Sequence, residues 1–128
     1  MINKVIIDTS AWIDFFRNLT GAVGDAVARL VEQDQAVMTG PVLAELIQGL
    51  KTDRESETLS DLLGVLPFAD ASRTDWEKTG ALLRKLRRRG ITVPLTDALI
   101  AVVARRHKCS VLTLDRHFDH LEVSLQPF

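Results

Sequence analysis

Apolar residues along this chain follow two alternating patterns. Short runs rich in β-branched residues occur at 4–7, 36–39, 65–68 and 110–114, with a further short run at 123–125. These have the length and composition of strands. Between them, apolar positions recur every three or four residues, the period of an amphipathic helix. The spacing predicts helices at 11–17, at 23–33 with Val27, Leu30 and Val31 on one face, at 41–50 and at 55–63. Pro41 stands where a first helical turn tolerates proline. Ser72 or Thr74 caps a long helix that ends at Gly90, with Trp76, Leu82, Leu83 and Leu86 as its apolar side. A further helix spans 96–107, and 116–121 reads as a helical turn. In the 96–107 helix, Ala98-Leu99-Ile100-Ala101-Val102-Val103-Ala104 is apolar on every side, which predicts a helix almost wholly buried.

Strands alternating with helices imply a mainly parallel central sheet of four or five strands, covered on both faces. The expected architecture is a three-layer α/β/α fold with right-handed crossovers, built as one domain over residues 1–128. No repeat, low-complexity tract or linker interrupts it. Sheets of this kind host many chemistries, so the function has to come from particular residues.

Composition narrows the choices. With 46% hydrophobic and 26% charged residues, the chain has the balance of a folded globular domain. Its first apolar run, Val5-Ile6-Ile7, is too short for a secretory signal core, and no stretch reaches the length of a membrane span. One cysteine, Cys109, rules out an intrachain disulfide and makes a poor zinc site. A cytoplasmic location is the expectation. The net charge of −1 hides an asymmetry. Residues 1–70 carry five basic and eleven acidic side chains, and residues 71–128 carry eleven basic and six acidic ones. The basic excess centres on Arg84-Lys85-Leu86-Arg87-Arg88-Arg89. Such a cluster can attract a phosphate backbone, or can simply complement the negative end of a helix dipole.

Four acids stand out by placement. Asp8 and Asp115 each follow a strand, and ligands of open parallel sheets bind beyond the carboxyl ends of the strands. Asp97 opens the most apolar helix. Glu45 interrupts Val42-Leu43-Ala44-Glu45-Leu46-Ile47, with no basic residue at helical spacing. Each has a structural alternative: Asp8 as a helix cap, Asp97 as a dipole partner, Asp115 as a turn former, and Glu45 as the partner of a distant arginine such as Arg17. Taken together, clustered carboxylates repel and call for a cation. Oxygen-only ligation suits Mg²⁺ or Mn²⁺. Thr9, Ser10 and Thr113 add hydroxyls at the same strand ends.

These segments carry a family resemblance. Val5-Ile6-Ile7-Asp8-Thr9-Ser10-Ala11-Trp12-Ile13-Asp14 resembles the start of PIN-domain ribonucleases, especially the VapC-type toxins of bacterial toxin-antitoxin pairs. Pro41-Val42-Leu43-Ala44-Glu45-Leu46 resembles the segment carrying their second acid. Pro94-Leu95-Thr96-Asp97-Ala98-Leu99-Ile100-Ala101 resembles the third, and Val111-Leu112-Thr113-Leu114-Asp115-Arg116-His117-Phe118 the fourth. The resemblance covers essentially the whole chain. It implies a PIN-like fold and hydrolysis of RNA phosphodiesters with one or two Mg²⁺ or Mn²⁺ ions. It also implies a homodimer and a small cognate antitoxin protein.

On that reading Asp8, Asp97 and Asp115 ligate metal, and Glu45 does so directly or through water. Thr9, Ser10 and Thr113 support them, with Asp119 as a further outer acid or a solvated residue. Arg84, Arg87, Arg88, Arg105 and Arg106 are the candidates for contacting RNA. The aromatic group Trp12, Phe15 and Phe16 is either core or an antitoxin-docking face. A PIN nuclease working in RNA processing outside a toxin pair is the nearest alternative. A receiver-type signalling domain would need paired acids after the first strand, and Asp70 gives it only a partial match after the third. A haloacid-dehalogenase-type phosphatase needs an acid where Ser10 stands, and a non-catalytic binding module has no use for all four acids.

Overall fold

The computed structural model describes residues 3–18 and 20–128. Its elements are β1 (Val5–Ile7), α1 (Thr9–Arg17), α2 (Ala22–Glu32), β2 (Ala36–Thr39), α3 (Gly40–Gly49), α4 (Asp53–Leu63), β3 (Phe68–Ala69), α5 (Arg73–Arg88), α6 (Leu95–Arg106), β4 (Ser110–Leu112) and a 3-10 helix (Arg116–His120). The strands pair in the order β3-β2-β1-β4, all parallel. Val5, Ile6 and Ile7 of β1 are fully buried, as a strand covered on both faces requires. Val5 and Ile6 face Ala36 and Val37 on one side, and Val5, Ile6 and Ile7 face Ser110, Val111 and Leu112 on the other.

From β1 the chain moves outward through β2 to β3, then returns to pair β4 on the opposite side of β1. The connections therefore diverge between β1 and β4, and the crevice at the carboxyl ends of these two strands is the topological switch point. Helix α1 packs on α2 and α3, while α5 and α6 pack on each other. Right-handed crossovers put these two groups on opposite faces of the sheet. The α/β/α architecture is thus as expected.

Most strands are shorter than their apolar runs predict. Residues 65 and 66 close the end of α4, donating backbone hydrogen bonds to the Leu62 carbonyl at 3.0 and 2.9 Å, so β3 begins only at Phe68. The expected fifth strand is a single parallel bridge, Val111 with Leu125. No stretch of regular ladder extends it.

The helices on the β4 side are set by their ends and by an ion pair whose acid is buried. Ser72 caps α5 in a reciprocal box with Asp75. Gly90, at φ 76°, ends it, with Ile91 N–H bonded to the Leu86 carbonyl and Gly90 N–H to that of Arg87. This pattern needs the left-handed backbone that glycine adopts without strain. Helix α6 then runs back along α5, and every residue from Asp97 to Ala104 is buried. At its far end Arg106 Nε lies 2.9 Å from both carboxylate oxygens of Asp75, and Arg106 also donates to the Asp70 carbonyl at 2.7 Å. Trp12 is fully buried against Phe15 and Phe16, with ring centroids 5.9 and 6.1 Å away. Trp12 is thus core, and Phe15 and Phe16 are half-buried against it.

Candidate active site

Each of the four acids is delivered to the switch point by a different piece of backbone. Asp8 is the first residue beyond β1 and occupies the N-cap position of α1, yet its side chain makes no capping bond. It is 4% exposed. Its Oδ2 accepts from Ser10 Oγ at 3.0 Å and from Thr113 Oγ1 at 2.8 Å. Those two hydroxyls are themselves held, accepting backbone N–H bonds from Leu114 and Asp115, each at 3.0 Å. Two relays of backbone N–H, hydroxyl and carboxylate therefore fix the Asp8 side chain across the β1–β4 crevice. Asp8 Oδ1 has no hydrogen-bond partner among the described residues and is left for a ligand.

Asp97 lies in the first turn of α6 and is 8% exposed. Burial pushes its carboxyl up to about 6, and the charges of Asp8 and Asp115 push the same way, while His117 opposes them. Asp115 follows β4 after the turn residues Thr113 and Leu114, because β4 stops two residues before the end of its predicted run. Its Oδ1 accepts the backbone N–H of His117 at 2.9 Å and so starts the 3-10 helix. The turn-forming role considered for Asp115 is therefore real, and it aims the carboxylate rather than competing with the site.

Glu45 interrupts an apolar run without being buried. Its helix α3 buries Val42 and Leu46, which turns Glu45 to the exposed side. An apolar run reveals that a helix is present but not which of its sides meets the core. Partial withdrawal from solvent and the nearby Asp8 charge still raise its pKa, against a long hydrogen bond from Thr9 Oγ1 at 3.4 Å. Arg17 is not its partner; that guanidinium pairs with Glu55 at 3.6 Å and reaches the Gly49 carbonyl at 3.4 Å.

No lysine or arginine forms an ion pair with any of the four acids among the described residues. The one basic group present is His117, absent from the sequence-based reading. Its Nδ1 lies 3.2 Å from Asp97 Oδ2 and 2.9 Å from Asp115 Oδ1. Its position two residues after Asp115 was the available signal, but its contact with Asp97 spans twenty residues and leaves no periodic trace. Asp97, Asp115 and His117 bring three donor atoms within 4.8 Å of one another. Four acids without a balancing arginine or lysine, two of them with raised pKa values, are a donor set that a divalent cation fits.

The other candidates divide by location. Asp119 is exposed on the 3-10 helix and makes no hydrogen bond or ion pair with the acids. Arg84 and Arg87 line a groove with Ile91, Thr92, Val93 and Leu95, at the end of the α5–α6 pair where Asp97 stands, and Arg88 follows on the same helix end. Arg105 and Arg106 close α6, some 12–14 Å along its axis from Asp97. Arg105 pairs with Glu122 at 3.7 Å and Arg106 is committed to Asp75, so Arg106 has a structural task. Asp70, the receiver-like candidate, is exposed after β3, and its carbonyl serves Arg106.

The family model for the PIN domain matches residues 5–123. The chain belongs to the PIN-domain family. Within it, the chain is 33% identical over 119 residues to VapC ribonuclease Mb1587 of Mycobacterium bovis, covering 90% of this chain and 89% of that protein. Ribonuclease VapC11 of Mycobacterium tuberculosis gives the same figures. The fold also matches VapBC2 from Rickettsia felis, solved bound to a promoter DNA fragment, with a TM-score of 0.80 and 20% identity over 100% of this chain and 99% of that one. VapBC from Salmonella typhimurium gives 0.79 and 22% identity over 97% and 96%. At these identities the two structures support the PIN fold, and the receiver and dehalogenase alternatives lapse.

Proposed function

We propose that this PIN domain, acting as one unit over residues 1–128, is a divalent-metal-dependent endoribonuclease and the toxin of a VapBC-type toxin-antitoxin pair. The observation that carries the reading is the convergence of Asp8, Glu45, Asp97 and Asp115 near the switch point, with no lysine or arginine paired to them among the described residues. Asp8 through Oδ1, Asp97 and Asp115 would hold Mg²⁺ or Mn²⁺, one or two ions, with Glu45 joining directly or through a water. Held by these carboxylates, a divalent cation would supply Lewis acidity for activating water and for balancing charge on the phosphate.

The chain's own residues prepare that chemistry. Ser10 and Thr113 prevent Asp8 from rotating away, since each hydroxyl is locked by a backbone donor. Asp115 is fixed by the turn it starts. Glu45, on the exposed rim with a raised pKa, is suited to take or orient a proton of attacking water. Arg84, Arg87 and Arg88 stand at the same end of the molecule and would steer the RNA backbone. Exposed Phe68, Trp76 and Leu95 flank one apolar groove beside the start of α6, a surface suited to a second copy in a homodimer. The VapC names of the relatives and the VapBC structures that share the fold support an antitoxin partner, and a cytoplasmic setting is part of the same proposal. Among the described residues no helix is long and apolar enough to cross a membrane.

The test is RNA cleavage by purified protein with Mg²⁺ or Mn²⁺, with EDTA, and after Asp8→Asn or Asp97→Asn substitution. Cleavage should require the cation and be lost in both variants. Undiminished cleavage by either variant would remove that residue from the mechanism.

A further inference from the structure

His117 stands in the donor cluster but has no part in the four-acid scheme. We infer that His117 Nδ1 is a direct metal ligand alongside Asp97 and Asp115, giving one cation position a nitrogen donor that favours first-row transition ions over Mg²⁺. The inference rests on the proposed metal-dependent site and adds a ligand and a selectivity to it.

Two geometric facts support it. Nδ1 is 2.9 Å from Asp115 Oδ1 and 3.2 Å from Asp97 Oδ2. Neighbouring ligands of an octahedral ion with bonds near 2.1 Å are about 3.0 Å apart, so these spacings match the edges of such a coordination shell. A single Nδ1 proton can point at one oxygen, and the Asp97 contact has hydrogen-bond geometry. The closer approach to Asp115 then sets a ring nitrogen against an oxygen that already accepts the His117 backbone N–H. A cation between the three atoms would satisfy all of them at once.

The ring is also anchored for this. The Asp115 carboxylate holds the His117 backbone, and Phe118, the next residue, is buried at 1% exposure. The imidazole itself is 46% exposed, so its replacement removes no core packing. Donor chemistry supplies the selectivity. Carboxylates suit Mg²⁺ and Mn²⁺ alike, whereas imidazole is a good ligand for transition ions and a poor one for Mg²⁺.

Mn²⁺ is the probe. Pulsed electron paramagnetic resonance of the Mn²⁺-loaded protein reads a directly bound ring nitrogen as a ¹⁴N coupling, independently of any cleavage assay. The wild type should show that coupling, and His117→Ala and His117→Gln should lack it while still binding Mn²⁺ through the acids. In titrations of the same proteins, both variants should reduce the preference for Mn²⁺ over Mg²⁺ by about tenfold. Bound Mn²⁺ without ¹⁴N coupling in the wild type, or the same coupling in both variants, would overturn the role of His117 and leave the acidic site standing. Failure of the wild type to bind Mn²⁺ at all would overturn both this inference and the metal site it rests on.

Discussion

Two aspartates of this chain occupy the same local position and end in opposite states. Asp75 and Asp97 both sit in the first turn of a helix, on α5 and α6, and both are buried, at 0% and 8% exposure. Burial raises the pKa of each. For Asp75 that effect is outweighed by hydrogen bonds from Arg106 and the Ser72 backbone and by the Arg106 charge, and its pKa ends below the usual carboxylate value. For Asp97 the neighbours are Asp8 and Asp115, which add to burial, and its pKa climbs to about 6. Burial and helix position are common to both; the sign of the surrounding charge separates them. One end of the α5–α6 pair is a finished ion pair, and the other holds acids that pair with no lysine or arginine among the described residues and have His117 as their basic neighbour.

The largest expected contrast is catalytic. Asp97→Asn should lower metal-dependent RNA cleavage by about 10³-fold, roughly 4 kcal/mol of barrier, the scale seen when a charge-stabilising group is lost. Asp75→Asn should leave cleavage per folded molecule within a few-fold of wild type. A comparable loss in both would mean that the two ends of the helix pair are not functionally distinct.

Next in size is stability at the Asp75 end. Arg106→Ala leaves a buried carboxylate without its partner and should cost about 2 kcal/mol in denaturant unfolding, less than for a fully buried pair because the guanidinium is 40% exposed. Because the native pKa of Asp75 is lowered, its contribution is present above the unfolded value near 3.8 and fades as pH falls through the lower native value. An unchanged midpoint at pH 7 would show the pair to be incidental.

Asp97 should behave in the opposite way. Its native pKa is raised, so between about 4 and 6 the native state binds more protons than the unfolded chain, and stability falls as pH rises through that window. In EDTA, Asp97→Asn should therefore be more stable than wild type at pH 7, by about 2 kcal/mol, with the gap closing toward pH 4. A pH-independent difference in the two unfolding curves would sink this explanation. The smallest effect concerns aim rather than charge. Thr113→Val removes one of the two hydroxyls on Asp8 Oδ2 and should weaken Mg²⁺ binding by about tenfold, the scale for losing an outer-shell partner. Calorimetric affinities equal to wild type would mean that Ser10 alone orients Asp8.

What the sequence revealed follows the same division. Placement of Asp8 after a buried β-branched strand, and of Asp97 at the start of a helix apolar on every side, was legible because strand runs and helix starts are local signals. The strand 36–39 and the burial of α6 were legible for the same reason. The orientation of Glu45 was not, because an apolar run around it fits either side of the helix. The Asp75–Arg106 pair joins residues 31 apart, and the His117–Asp97 contact joins residues 20 apart; neither spacing has a period to betray it. Arg106 thus entered as an RNA contact and proved to be half of a structural ion pair. The two-residue β3 lost its expected start because residues 65 and 66 finish the turn after α4.

If the acid cluster is built for a cation, Mg²⁺ concentration should set the melting temperature of the protein. A ligand that binds only the native state stabilises it by mass action. Wild type should therefore melt progressively higher as Mg²⁺ is added at pH 7, and a variant with Asn at 8, 97 and 115 and Gln at 45 should show no shift beyond that of matched ionic strength. Equal shifts in the two proteins, or none in the wild type, would contradict the account.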